Sequence, residues 1–477
     1  MRKRFERQYS LGELRIEDTE VNLKSRDAFP KLILALKEIY TNDKYNDLLF
    51  STLEDRVMNN KKMTGRSGMD LWQIFVFAQT RLTLNITYDR LHDLANNHST
   101  LRQILGIEKT WGHKRIEIGY QNIVDNVKLL DDETLKKIND IIVEMGHNVF
   151  KKKETEALRL KTDSFVVLSN VHFPTDYNLL WDSARKSIAY IQKAIKKSDI
   201  EGWRKINNWH QELKSMMREV AQSSRKSEDN KIKIVEKYLQ KAELLSEKLH
   251  KTQVCLPIND IKDVTISWNL EYYIKMLDKH IDLLERRVLK GEKIPHNEKI
   301  FSIFETYTEW KTKGKRNPSV ELGKNLQVTT DQFHLVIDFE IMEETTDNNA
   351  VISLTDRILS KYFINSWSFD KGYFSKENKE LLSLFIDNLV MPKKGKLNKK
   401  EYKEEHTKEF KKLRNKHSAV ESNINALGYR GLDRCPDKGY AHFKNYTALA
   451  ICAYNLHHIG AELMKLEKAK QRLKQAA

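Results

Sequence analysis

Three carboxylates stand where a strand or a helix gains little from them. Asp163 lies inside "KTDSF", Asp370 closes "SFDKGYF", and Glu421 sits in the middle of "KKLRNKHSAVESNINALGYRGLDR". Carboxylates are depleted in strands and costly wherever water is withdrawn from them. Brought together, three of them can hold hard divalent cations. Mg²⁺ takes one or two carboxylates and completes its shell with water and substrate phosphate. Paired ions of this kind promote in-line displacement at phosphodiesters. A chain with 67 acids offers many such triples, so the neighbouring residues must decide.

Around Glu421 the neighbours are cations: Lys411, Lys412, Arg414, Lys416, His417, Arg430 and Arg434. Phe410, Leu413, Val420, Ile424 and Leu427 recur at helical spacing and form one packing face. Arg414, His417, Glu421 and Asn425, three or four apart, form the adjacent stripe. On such a helix Arg414, Lys416, His417 and Arg430 are candidates for phosphate contact, and Glu421 for a cation held between phosphate and protein. Gly372 is read as the turn residue that exposes Asp370 at the carboxyl end of its strand, where α/β sheets build their sites. Lys371, beside Asp370, is a further DNA-contact candidate, against the plainer reading of a solvated turn lysine.

Elements able to position these residues follow from periodicity. Residues 1–30 read as a basic arm and 31–150 as successive helices, compatible with a helix-turn-helix reader. There, Thr100 and Gln103 have capping-box spacing. "LRLKTDSFVVLSNVHF" reads as strand, and Thr175 or Asp176 caps the helix after it. Residues 176–310 read as a helical insertion, with stripes at Ala184, Ile188, Ile191, Ile195 and at Ile232, Val235, Leu239, Ala242, Leu249 taken as core seams. Strands return at 320–342, followed by alternating helices and strands; residues 461–477 read as a basic helix end. Trp367 and Phe369 are read as core, His457 and His458 as structural. With the insertion set aside, 151–175 and 311–460 make one mixed α/β sheet.

Composition narrows the partners. Lys plus Arg is 83 against 67 acids, a net charge of +16, which favours a polyanion such as nucleic acid. Three distant cysteines make neither a disulfide framework nor a CxxC zinc site, so a cytoplasmic chain is expected. The first residues lack an apolar signal segment, and "ALAICAYNL" is too short to span a bilayer.

Four blocks in order, "KTDSFVVLSNVHFPTDYNLLWDSARK", "IFSIFETYTEWKTKGKRNPSVELGKNLQVTTDQF", "SFDKGYFS" and "NKHSAVESNINALGYRGLDRCPDKGYAHFKNYTALAICAYNLHHIG", resemble the DDE transposases of bacterial insertion sequences, nearest to the ISNCY-type group. The N-terminal "TYDRLHDLANNHSTLRQILGI" is similar to that group as well. The resemblance implies an RNase H-like mixed-sheet core interrupted by the helical insertion, with an α-helical N-terminal domain. It implies Asp163, Asp370 and Glu421 as catalytic residues and metal ligands, and Mg²⁺ as cofactor with Mn²⁺ as a substitute. It also implies cleavage and joining of double-stranded DNA at inverted-repeat ends by a homodimer. Related insertion-sequence transposases often carry Tyr, Arg, Glu and Lys along the catalytic helix; Arg414, His417, Glu421 and Gly428 hold those positions here, and only Glu421 matches. A catalytically inactive DNA-binding protein derived from a transposase is the alternative, and a nuclease without joining activity a third reading.

Overall fold

A computed structural model describes residues 12–58, 68–110, 115–197, 200–312 and 319–476. Residues 1–11 of the expected basic arm lie outside that range. The chain divides into two compact units, one of Met1–Asn170 with Lys311–Ala477, the other of Val171–Trp310.

In the first unit the described part of the arm is docked. Ile16 is fully buried, and Leu14 N–H donates to the Glu108 carbonyl at 3.1 Å. Helices α1 (Ala28–Thr41), α2 (Asp43–Val57), α3 (Leu71–Thr83), α4 (Tyr88–Asn97), α5 (Ser99–Ile104), α6 (Tyr120–Val127) and α7 (Asp132–Val149) follow. The apolar run of α3 is buried almost all round, which fits a central helix of a bundle. The capping box expected at Thr100 is absent. Helix α5 starts one residue earlier, and His98 caps it, its Nδ1 accepting from Leu101 N–H at 3.3 Å. An imidazole nitrogen can satisfy the same orphan N–H group that a hydroxyl serves.

Strand β1 (Leu158–Leu168) is the centre of a six-stranded sheet that also contains β2 (Glu309–Thr312), β3 (Val320–Thr330), β4 (Val336–Met342), β5 (Ile364–Phe369) and β6 (Asn388–Val390). β1 runs antiparallel to β3 and parallel to β5, while β4 pairs with β3 and β6 with β5. This mixed sheet, with helices around it and a helical N-terminal region, is RNase H-like in architecture. Between and after these strands come α12 (Val351–Leu359), α13 (Lys376–Ser383), α14 (Lys399–Glu405), α15 (Lys408–His417), α16 (Ala419–Leu427) and α17 (Tyr440–Ala476).

One sequence expectation changes here. The cationic helix is not continuous: it breaks at Ser418 into α15 and α16, and beyond Leu427 it widens into a π turn, where Arg430 and Gly431 leave helical geometry. Gly431 has φ +98°, and an added Cβ would stand 2.2 Å from the Tyr446 hydroxyl oxygen, so a side chain is excluded there. Residues 461–476 form the end of α17. The earlier part of α17, from Ala448 to Leu456, is buried throughout. It locks β4 to α7 through Asn455, which accepts from Val336 N–H at 2.9 Å and donates to Asn139 at 2.8 Å.

The second unit contains α8 (Asp176–Ile195), α9 (Ile206–Gln222), α10 (Glu228–Val254) and α11 (Ile261–Leu284). Thr175 caps α8 by accepting from Asn178 N–H. Ala184, Ile188 and Ile191 of one stripe, and Val235, Leu239, Ala242 and Leu249 of the other, are buried in one core with Leu270, Ile274 and Leu277. Among the described residues of the chain, no helix is long and apolar enough to cross a membrane.

Candidate active site

Asp163 lies mid-strand in β1, directly opposite Val328 of β3. Alternation places Arg159, Lys161 and Asp163 on one sheet face and Ser164 on the other. Asp370 follows the last residue of β5 and starts a short 3₁₀ turn, Lys371–Tyr373. β1 and β5 are parallel neighbours with Thr162 paired to Phe369, so Asp163 and Asp370 emerge side by side. Glu421, in the first turn of α16, comes from the helix layer. Phe410, Val420 and Leu427 are buried beneath α15 and α16 and fix the helices to the sheet. Asp370 and Glu421 are exposed, whereas Asp163 is half-buried.

Electrostatics tie the three together. The Asp163 carboxyl is pushed up to about 7, first by burial, then by the charges of Asp370, Asp347 and Glu421. One hydrogen bond works the other way: Ser164 N–H donates to Asp163 Oδ1 at 2.7 Å. Burial and like charges both penalise the ionised form, so Asp163 holds its proton to higher pH than an ordinary carboxyl.

Asp347 was not among the residues singled out from sequence. It sits in the loop between β4 and α12, and Ser164 Oγ donates to its Oδ1 at 2.8 Å. Burial raises its carboxyl, and Asp370 adds to the rise. Gly372 explains its approach. The backbone there is ordinary, but a Cβ would stand 2.6 Å from Asp347 Oδ2. Gly372 thus permits the close passage of Asp347, which a Cβ would push aside, and its backbone needs no special turn conformation. The only trace in the sequence is the polar run "EETTDNN" before a helix, which reads as an ordinary loop.

The cationic candidates differ in situation. Arg414 and Lys416 are exposed in the last turn of α15, and Lys371 is exposed beside Asp370. The ring of His417 is half-buried, with Nδ1 at 3.0 Å from Ser368 Oγ. Burial lowers its pKa against the pull of Asp370 and Glu421, so at neutral pH it is a hydrogen-bonding group more than a cation. Arg430 is turned inward: its guanidinium donates to the Thr83 carbonyl at the end of α3. Trp367 and Phe369 are core, ring centroids 4.8 Å apart, and His458 Nε2 lies 2.8 Å from the Phe333 carbonyl oxygen.

The donor set suits a hard divalent cation in kind, because it consists of carboxylate oxygens. It does not form a closed ligand shell: among the described residues no three acidic, histidine or cysteine groups surround one point closely enough to hold a metal ion. Four like charges in one neighbourhood oppose closer approach.

Residues 290–456 match the family model described as "Transposase DDE domain". The matched stretch includes Asp347, Asp370 and Glu421, while Asp163 precedes it. No curated protein and no solved structure matches the chain. The chain thus carries a transposase DDE domain over residues 290–456.

Proposed function

We propose that this transposase cuts double-stranded DNA at the inverted-repeat ends of its element and joins the freed 3′-hydroxyl to target DNA, with Asp163, Asp370 and Glu421 as the catalytic carboxylates. The observation that carries the reading is the Asp163 carboxyl, pushed up to about 7 inside a neighbourhood of three further acids. Strongly shifted carboxyls in a shared neighbourhood mark functional sites more often than structural ones. The same three residues would hold Mg²⁺, or Mn²⁺ in its place, and the bound ion would supply positive charge to the phosphodiester oxygens. Asp163 must release its proton to serve as a ligand. Ser164 N–H stabilises the carboxylate so formed. Arg414, Lys416 and Lys371, exposed around the acids, would neutralise flanking phosphates, and His417 would orient one by a hydrogen bond. Arg430 would act on DNA only indirectly, by fixing the π turn after α16 to α3. Catalysis of this kind rests on positioning and charge, and needs no protein nucleophile. Two ends must be handled together, so a homodimer is the working form.

The test is incubation of linear DNA bearing the element ends with the protein and Mg²⁺. Cutting and joining are expected, and Asp163→Asn, Asp370→Asn and Glu421→Gln should each abolish them while leaving DNA binding. Binding without cutting under any divalent metal favours an inactive, regulatory DNA-binding protein. His417 and Gly428, where related enzymes often carry Arg and Lys, are the residues that keep this second reading open. Cut ends without joined products indicate a nuclease.

A further inference from the structure

A cavity of about 400 Å³ lies beneath the junction of α15 and α16, against β1, β5 and β6. Three cations from two elements line it: Arg159 and Lys161 of β1 and Lys416 of α15. No carboxylate lines it among the described residues, and none of the three cations has a carboxylate within ion-pair distance there. The nearest acid acting on Lys161 is Asp331, which is fully buried and already engaged. Its carboxylate lies 2.7 Å from His147 Nε2 and accepts the N–H groups of Phe333 and Leu335. His334, also at the wall, has its pKa lowered by burial and by Lys161, and so adds no fourth cation. Unpaired cations that face one cavity are stabilised by an anion.

The remaining lining narrows the anion. Leu413 and Ala419 present apolar surface, with the fully buried Leu160, Trp367 and Val390 behind them, while Asn388 and Gln332 bring amide groups to its edge. The volume falls in the range of small-ligand sites and is far larger than one phosphate requires. An apolar surface for a flat ring, amides for ring edges and cations for phosphate are the requirements of a nucleotide.

We propose that this cavity is a nucleoside-phosphate subsite, with Arg159, Lys161 and Lys416 holding the phosphate. Lys161 and Asp163 are two residues apart on one face of β1, about 7 Å along the strand. Lys161 pairs with Ser368, which bonds His417. A DNA strand with one phosphate at the carboxylates would therefore pass a neighbouring nucleotide to the cavity. That source rests on the function proposed above, whereas a free nucleotide does not.

The experiment uses the full chain in EDTA, so that no cutting occurs and the result is independent of catalysis. Binding of dAMP and of a 12-nucleotide single strand is measured by titration calorimetry for wild type, Arg159→Gln/Lys161→Gln, Lys161→Arg and Lys275→Gln. Lys275, on α11, serves as a charge control remote in sequence. The double variant should bind the single strand about tenfold more weakly, with a salt slope shallower by about 1.4, from two lost phosphate contacts. Lys161→Arg should retain binding, and Lys275→Gln should change it less than about twofold. Loss of dAMP binding in the double variant assigns the site to free nucleotides as well. A weakened single strand with no dAMP binding to wild type assigns it to the polynucleotide alone. Should the double variant melt abnormally, Lys416→Gln, exposed on its helix, is read in the same assay, where binding should weaken and the salt slope become shallower by about 0.7, from one lost phosphate contact. Wild-type affinity for both ligands in these variants overturns the proposal.

Discussion

Strand β1 carries opposite charge at two stations of the same face. At Asp163 four acids from β1, the β4–α12 loop, the end of β5 and α16 act on one another. At Arg159 and Lys161 the charge is positive and lacks carboxylate partners in the cavity. Neither station resembles the ordinary surface of this protein, where lysines and acids pair, as in Lys136 with Glu340 or Lys361 with Asp140. Paired surface charges contribute little and need no ligand. Two unpaired clusters of opposite sign, side by side on one strand, are suited to a substrate that needs cations at one point and offers phosphates at the next. The second unit supplies a contrast: its helices close over an apolar core, and its charged groups pair locally, as Lys241 does with Glu212.

The acidic station is broken most severely by removing a proposed ligand. Asp370→Asn or Glu421→Gln should reduce the rate of end cutting about a thousandfold or more, measured on end-bearing DNA at saturating protein. Residual activity within tenfold of wild type would remove those residues from the chemistry. Asp347→Asn should have an intermediate effect, a loss of about ten- to a hundredfold accompanied by a higher Mg²⁺ requirement, as is usual for groups that support ligands. Gly372→Ala pushes a methyl group onto the Asp347 carboxylate. It should therefore impair cutting in the same direction, and little further when Asp347 is already Asn. Additive losses in that double variant would disconnect Gly372 from Asp347.

A further effect is on stability. The Asp163 carboxyl titrates near 7 in the folded chain, against about 3.9 in an unfolded one. Between these values the unfolded state binds fewer protons, so this group lowers stability as pH rises from about 4 to about 7. Asp163→Asn abolishes that penalty. Urea unfolding should show the variant gaining about 4 kcal/mol on wild type near pH 8 and almost nothing near pH 4. An equal difference at both pH values would mean that Asp163 is not penalised when ionised.

Much of this arrangement could be read from residue order, and the exceptions have physical causes. β1 was legible from its run of β-branched and apolar residues, and the α8 cap from Thr175. Asp163, Asp370 and Glu421 stood out because strand interiors, strand ends and cationic helices disfavour acids. Ser418 is an ordinary helix residue by type, so the break between α15 and α16 was hidden; packing against the sheet overrides propensity there. Asp347 was hidden for a different reason. Loop acids are common, and its place depends on the hydroxyl of Ser164 and the missing side chain of Gly372, both remote in sequence. His98 capping α5 was missed because Thr100 offered the more familiar pattern.

The central claim is that the acids around Asp163 form one site for a divalent cation. Thermal unfolding of the full chain at pH 7.5, with and without 10 mM Mg²⁺, tests it most directly. Wild type should gain about 2–4 °C, because ligand binding to the folded state raises its stability. Asp163→Asn, Asp370→Asn and Glu421→Gln should each lose most of that gain, while Lys275→Gln keeps it. The same Mg²⁺ shift in all of these proteins would contradict the account.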